Sequence, residues 1–158
     1  GVNMREEALA QLFATLSSPA FVTANGIVTA VRNRGRLEND QLPGLYALDG
    51  DEEADPPRAG TSRGEVRMAL AKLTMHPQVH FVLDTRLPQN EQVGTLLNSA
   101  RGAIITAVAY DEQLRAILGS NGEIHYGGLS TDLKDGEPMS GVMTLDFRLV
   151  GYLNPYSN

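Results

Sequence analysis

At 158 residues the chain has the length of one ordinary domain, enough to bury a core without staples, and its lack of cysteine excludes disulfide frameworks, thiolate metal sites and cysteine nucleophiles. A formal net charge of −6 disfavours non-specific nucleic-acid binding as a primary role, because the long-range field repels phosphate. No apolar run approaches the roughly 20 residues of a membrane-spanning helix, and the opening GVNMREEALA carries acid where a secretory signal carries base, so a soluble chain with no targeting segment is expected.

Leu9, Leu12, Phe13 and Leu16 recur at the spacing of one helix face, and Asn3 with Glu6 fits the N-cap and N3 places of a capping box. A first helix is therefore predicted over about 4–17, stopped by Ser17-Ser18-Pro19. In AFVTANGIVTAVRN, β-branched residues flank Asn25-Gly26, a turn pair, which predicts a strand or hairpin. LPGLYALDG predicts a strand over about 43–48, from whose end an acidic loop leaves and runs to about Arg63. In the next stretch, Met68 to Leu73 suits a helix while Val79 to Leu83 reads as extended. Pro77 has no N–H for a ladder, so two consecutive strand segments, or one long strand bulged near His76-Pro77, are expected there.

Asn90 as N-cap and Glu91 in the first turn open a helix over about 90–108, with Val93, Leu96, Leu97, Ala100, Ile104 and Ala107 as its apolar stripe. Asp111 caps a shorter helix carrying Leu114, Ile117 and Leu118, which Gly119 ends. EIHYGGL predicts a strand, followed by a polar loop through Asp135-Gly136. In GVMTLDFRLVGYL, alternation puts Met143, Leu145, Phe147, Leu149 and Leu153 on one face and Thr144, Asp146, Arg148 and Tyr152 on the other. The expected class is α+β: one domain over 1–158, with an antiparallel or mixed β-sheet and two to three helices packed on one face.

The carboxylates Asp49, Asp51, Glu52, Glu53 and Asp55 are the first place to look for chemistry. A calcium loop alternates oxygen ligands around a glycine and ends on a bidentate carboxylate; here Gly50 comes second and Pro56-Pro57 stands where later ligands belong, so a solvated acidic loop is the better account. His76 and His80 form HxxxH without the glutamate of a zinc hydrolase, and read as surface or interface imidazoles. No phosphate loop, dinucleotide fingerprint or nucleophile elbow occurs, which leaves no catalytic residue and no cofactor to assign. Arg32, Arg34 and Arg36 form the one local basic concentration, and on an extended segment they would project from one side.

The order of MREEALAQLFATL, NDQLPGLYALDGDEE, VHFVLDT, the helix from Asn90 and the closing SGVMTLDFRLVGYLNP after GSNGEIHYGG resembles the tail terminator proteins of long-tailed bacteriophages, over most of the chain. Asp40-x-Leu42-Pro43 ahead of a short strand and Asp49-Gly50 is the most specific piece. The resemblance implies a structural virion protein, not an enzyme: a ring, usually of six copies, at the head-proximal end of the tail tube, which stops tube polymerisation and joins the tail to the head connector. The implied partners are further copies of the chain, the tail tube protein and the connector or stopper. The resemblance further implies that DNA passes through the bore without sequence-specific binding and that neither cofactor nor membrane is involved. The long 49–63 excursion and the helix at 111–118 depart from the family's pattern. Arg32, Arg34, Arg36, Asp49, Asp51, Glu52, Glu53, Asp55, Asp146, Arg148 and Tyr152 are the expected interface residues. Another neck or minor tail protein, a stopper or adaptor, is the alternative within that class, and a divalent-metal-dependent enzyme using the acidic loop is the alternative outside it.

Overall fold

The computed structural model describes residues 3–55, 71–83, 93–134 and 137–153. Helix α1 (Met4–Leu16) starts where expected: the Asn3 side chain accepts a hydrogen bond from the Glu6 N–H at 2.7 Å. The next segment corrects the hairpin expectation. Ser18 caps a short helix α2 (Pro19–Ala24) with proline at its first position, Asn25 closes it, and Gly26 follows at φ 64°. Asn25-Gly26 thus ends a helix, because a Ser-Pro start and a left-handed glycine bracket the apolar residues more strongly than their β-branching favours a strand.

Five strands form one mixed sheet in the order β1-β2-β3-β5-β4. They are β1 (Thr29–Arg32), β2 (Gly44–Ala54), β3 (Ala71–Val82), β4 (Glu123–Lys134) and β5 (Glu137–Leu153). The β1–β2 pair is parallel and every other pair antiparallel. Between β1 and β2, Asn39–Gln41 forms a single 3-10 turn, and the Leu42–Pro43 peptide that enters β2 is cis. The α+β expectation therefore holds, with helices packed on a mostly antiparallel sheet.

Two strand boundaries differ from expectation. β2 runs on to Ala54, so Asp49 lies in a bulge of the strand and Asp51, Glu52 and Glu53 pair with β3 rather than belonging to a loop; the remainder of the predicted excursion, from 56 to 63, lies outside the described residues. β3 is one continuous strand at the centre of the sheet despite Pro77. The register slips between Leu48 and Asp51, which places the Asp49-Gly50 bulge of β2 opposite Pro77, where no ladder donor is available. Of the two forms expected, the single long strand is the one found, not two consecutive segments, and the bulge beside Pro77 lies on its partner β2. Met68 to Leu70, Asn90 and the Asp135-Gly136 loop fall outside the described residues.

Helices α3 (Val93–Ala109) and α4 (Glu112–Leu118) lie against β4 and β5, and α1 packs on both helices. Val93, Leu97, Ala100, Ile104 and Val108 of α3 are buried; Leu96, expected in that stripe, is 40% exposed. Their partners are Leu45, Ala47, Met75, Val79 and Phe81 with Met143, Leu145, Phe147 and Leu149, all in one cluster. Asp111 joins the helices: buried to 8% exposure, it caps α4 through the Leu114 N–H and accepts from Thr15 Oγ1 and Gln11 Nε2 of α1. No described helix is long and apolar enough to cross a membrane.

Candidate interaction surface

At the β1 side of the sheet, the guanidinium of Arg32 reaches two carboxylates at once. Its Nη1 and Nη2 donate to Glu6 on α1 and its Nε and Nη2 to Asp49 in the bulge, all at 3.0 Å. Asn33 completes the contact, donating to Asp49 Oδ2 while its own Oδ1 accepts from the Asp49 N–H. Arg5 of α1 donates to the Gly50 carbonyl at 3.0 Å, so the first turn of α1 holds both residues of the bulge. Hydrogen bonding to Arg32 holds the Glu6 carboxyl below its usual range. Burial pushes the Asp49 carboxyl up, but hydrogen bonds from Arg32 and Asn33 outweigh it and hold it low. Arg32 and Asp49, both expected at an interface, thus have an intrachain role.

Arg34 and Arg36 are placed differently. Asn33 takes φ 58°, which ends the extended run, so the three arginines do not share one strand face. Both are exposed in the irregular segment that follows. Replacing Arg32 by Met should leave Asp49 without its cation and lower stability by about 1 kcal/mol after allowance for solvent screening. Because both carboxyls are depressed in the folded state, the contribution is present above the unfolded values near pH 4 and lost as pH falls through the lowered ones. Urea denaturation across pH should show the gap between wild type and variant at pH 7 shrinking below about pH 4.

The second surface is the sheet face turned away from the helices. Strand register lays four side chains in one row: Asp51 pairs with His76, His125 pairs with Arg148, and the flanking pairs Met75–Leu149 and Gln78–Asp146 set His76 beside Arg148. Gln78 donates to Asp146 at 3.0 Å in the adjacent row. Beyond it, the Tyr46 and His80 rings stack at 4.4 Å, with Thr144 Oγ1 2.9 Å from His80 Nδ1. Burial lowers the His80 imidazole below its ordinary range, opposed by the charge of Asp146, and burial raises the Tyr46 phenol. His76 lies 3.8 Å from Glu53, and His125 lies 3.6 Å from Glu123. Arg148 and Tyr152 are exposed, Tyr152 opposite Lys72.

A concavity of about 480 Å³ opens where this face meets the bulge, lined by Gly50, Asp51, Glu53, His76, Gln78 and Asp146. Among the described residues, no three His, Asp or Glu side chains converge as ligands for a metal ion. A second hollow, of about 640 Å³, lies between α4 and the start of β4, with Glu112, Arg115, Ser120 and Ile124 in its wall. There the Arg115 guanidinium is engaged by the Ala109 carbonyl at 2.8 Å and sits over the Tyr110 ring. No protein-family model matches the chain, and no curated protein matches it in sequence.

The expected interface residues therefore fall into three places. Arg32 and Asp49 meet at the α1–bulge corner; Asp51, Glu53, Asp146, Arg148 and Tyr152 share the open face; Arg34, Arg36, Glu52 and Asp55 stand apart from it. His76 and His80, expected only as surface or interface imidazoles, are joined by Gln78 and His125 at the centre of the open face. For His76, Gln78 and His80 the signal was the period-two alternation on either side of Pro77, which becomes legible only once the strand is known to continue through the proline; His125 lies in the strand expected at EIHYGGL.

Proposed function

We propose that the chain is a structural subunit of a long-tailed phage virion, closing a ring at the head-proximal end of the tail tube, halting tube growth and joining the tail to the head connector. The observation that carries this is the open sheet face. Its Asp51–His76–Arg148–His125 row displays acid at one side and base towards the other, with Tyr152 as an aromatic contact, on the side of the sheet opposite the helical layer. A mixed-charge, partly aromatic face on a rigid sheet suits contact with unlike surfaces of neighbouring subunits, which is the condition for head-to-tail closure of a ring. The order of elements supports the same reading, from the opening helix through the Asp40-x-Leu42-Pro43 entry into β2 to the alternating final strand. In this role the chain performs no reaction, and DNA passes the bore without base readout.

Negative-stain imaging of the purified chain at high concentration should show rings with a central hole. A monomeric mass at that concentration, with no ring of this chain in virions, removes the proposal. Reversing one exposed charge on the open face, Arg148→Glu, should leave the thermal midpoint within about 2 °C of wild type, as for most surface changes, while sharply reducing ring yield. Unchanged ring yield would take the open face out of the contact.

A further inference from the structure

With Arg32 and Asp49 engaged by each other, two opposite charges remain uncompensated among the described residues on the β1 side of the sheet. Arg34 and Arg36 are exposed and ion-pair with no described carboxylate, and Asp51, Glu52 and Asp55 ion-pair with no described cation. Both patches lie on one side of the molecule. The Asn33 N–H donates to the Ala47 carbonyl, where β1 ends, and Leu37 is already back beside Gly44, so Arg34 and Arg36 occupy the level of lower β2. Above Ala47, β2 has left β1 behind, and among the described residues Asp51 to Ala54 pair with β3 alone. Their outward N–H and C=O groups form an edge that no described strand pairs with, carrying acid and lying roughly 15–20 Å along the strand from the arginines at about 3.3 Å per residue.

Base low and acid high on one side of a molecule is self-complementary about a two-fold axis that crosses the strands between them. A ring contact instead needs its complementary patches on opposite sides. We infer that the β1–β2 side of the sheet is an isologous contact between two copies of this chain, Arg34 and Arg36 of each docking against Asp51 to Asp55 of the other. The corner formed by Glu6, Arg32, Asp49 and Arg5 presets this contact, because it fixes both the end of β1 and the bulge from which the acidic edge rises. The contact goes beyond the proposed ring and stands without it.

The test is a charge swap on the whole chain, read by multi-angle light scattering. In about 0.05 M salt, where screening is weak, Arg34→Glu/Arg36→Glu and Glu52→Lys/Asp55→Lys, all off the open face, should each form a particle of half the wild-type mass, and their equimolar mixture should regain the wild-type mass. About 0.5 M salt should halve the wild-type particle, since exposed charges are screened over a few ångströms there. The ratio reads two to one whether the unit being paired is a single chain or a ring, so failure of the ring proposal shows as a changed unit mass and leaves the ratio intact. Should a reversal variant not fold, the neutral pair Arg34→Gln/Arg36→Gln is the substitute, with dimer affinity lowered tenfold or more. A wild-type mass that is indifferent to salt and equal to that of the variants overturns the inference. So does a mixture that recovers six or more times the variant mass, which would assign these patches to the ring contact.

Discussion

Gly50→Ala should be the most damaging single-methyl change in the described chain, lowering stability by about 3 kcal/mol and the thermal midpoint by roughly 10 °C. Gly50 sits at φ +71°, where an L side chain is strained, and a Cβ there would stand 2.0 Å from the His76 carbonyl oxygen and 2.9 Å from its carbon. Neither atom can give way, since both belong to the backbone of the central strand. The bulge has no alternative position, because it must fall opposite Pro77. Gly102→Ala is the control: this glycine lies inside α3 with nothing within 4 Å of a built Cβ, so the same methyl should add up to about 1 kcal/mol of helix propensity. A thermal midpoint for Gly50→Ala within about 2 °C of wild type would mean that the bulge is not built as described.

Asp111→Ala is the second. The carboxylate caps α4 and accepts from two side chains of α1, so its loss removes a cap, about 1 kcal/mol, and leaves Thr15 and Gln11 facing a buried gap, about 1–2 kcal/mol more. A total near 2–3 kcal/mol is expected in urea denaturation. Asp111→Asn keeps the cap geometry and should cost about half as much. Equal losses for the two variants would place the effect in the charge and not in the cap.

These two sites also show what could be read from the residues in order. Asp111 as a cap, Gly119 as a stop and the alternation through Met143 to Leu149 were legible, because each depends on neighbours within a few positions. The acidic stretch was not. Solvated charge in a row suggests a loop, and only the antiparallel ladder to Leu73, Thr74, Met75 and His76 makes Asp51 to Ala54 a strand. The hairpin expected at Asn25-Gly26 failed for the converse reason: the turn signal was real, but the same left-handed glycine serves a helix end. At the surface, the partner of Arg32 could not be read from spacing, since Glu6 lies 26 residues away and Asp49 17. The open-face residues were half legible: Asp146, Arg148 and Tyr152 follow from alternation in one strand, whereas the histidines beside them depend on the register of three.

The position of β5 between β3 and β4 has a bearing on how the molecule comes into being. Synthesis proceeds from the amino end, so β2, β3, both long helices and β4 have all been made before the strand that must be inserted among them. Until then β3 has one side bare and β4 has no ladder at all, and the nascent chain carries its greasiest sheet residues uncovered. A messenger cut anywhere before the codon for Met143 should therefore yield insoluble product or none, with no partly folded fragment. Slow translation through the last strand should hurt recovery more than equal slowing anywhere earlier.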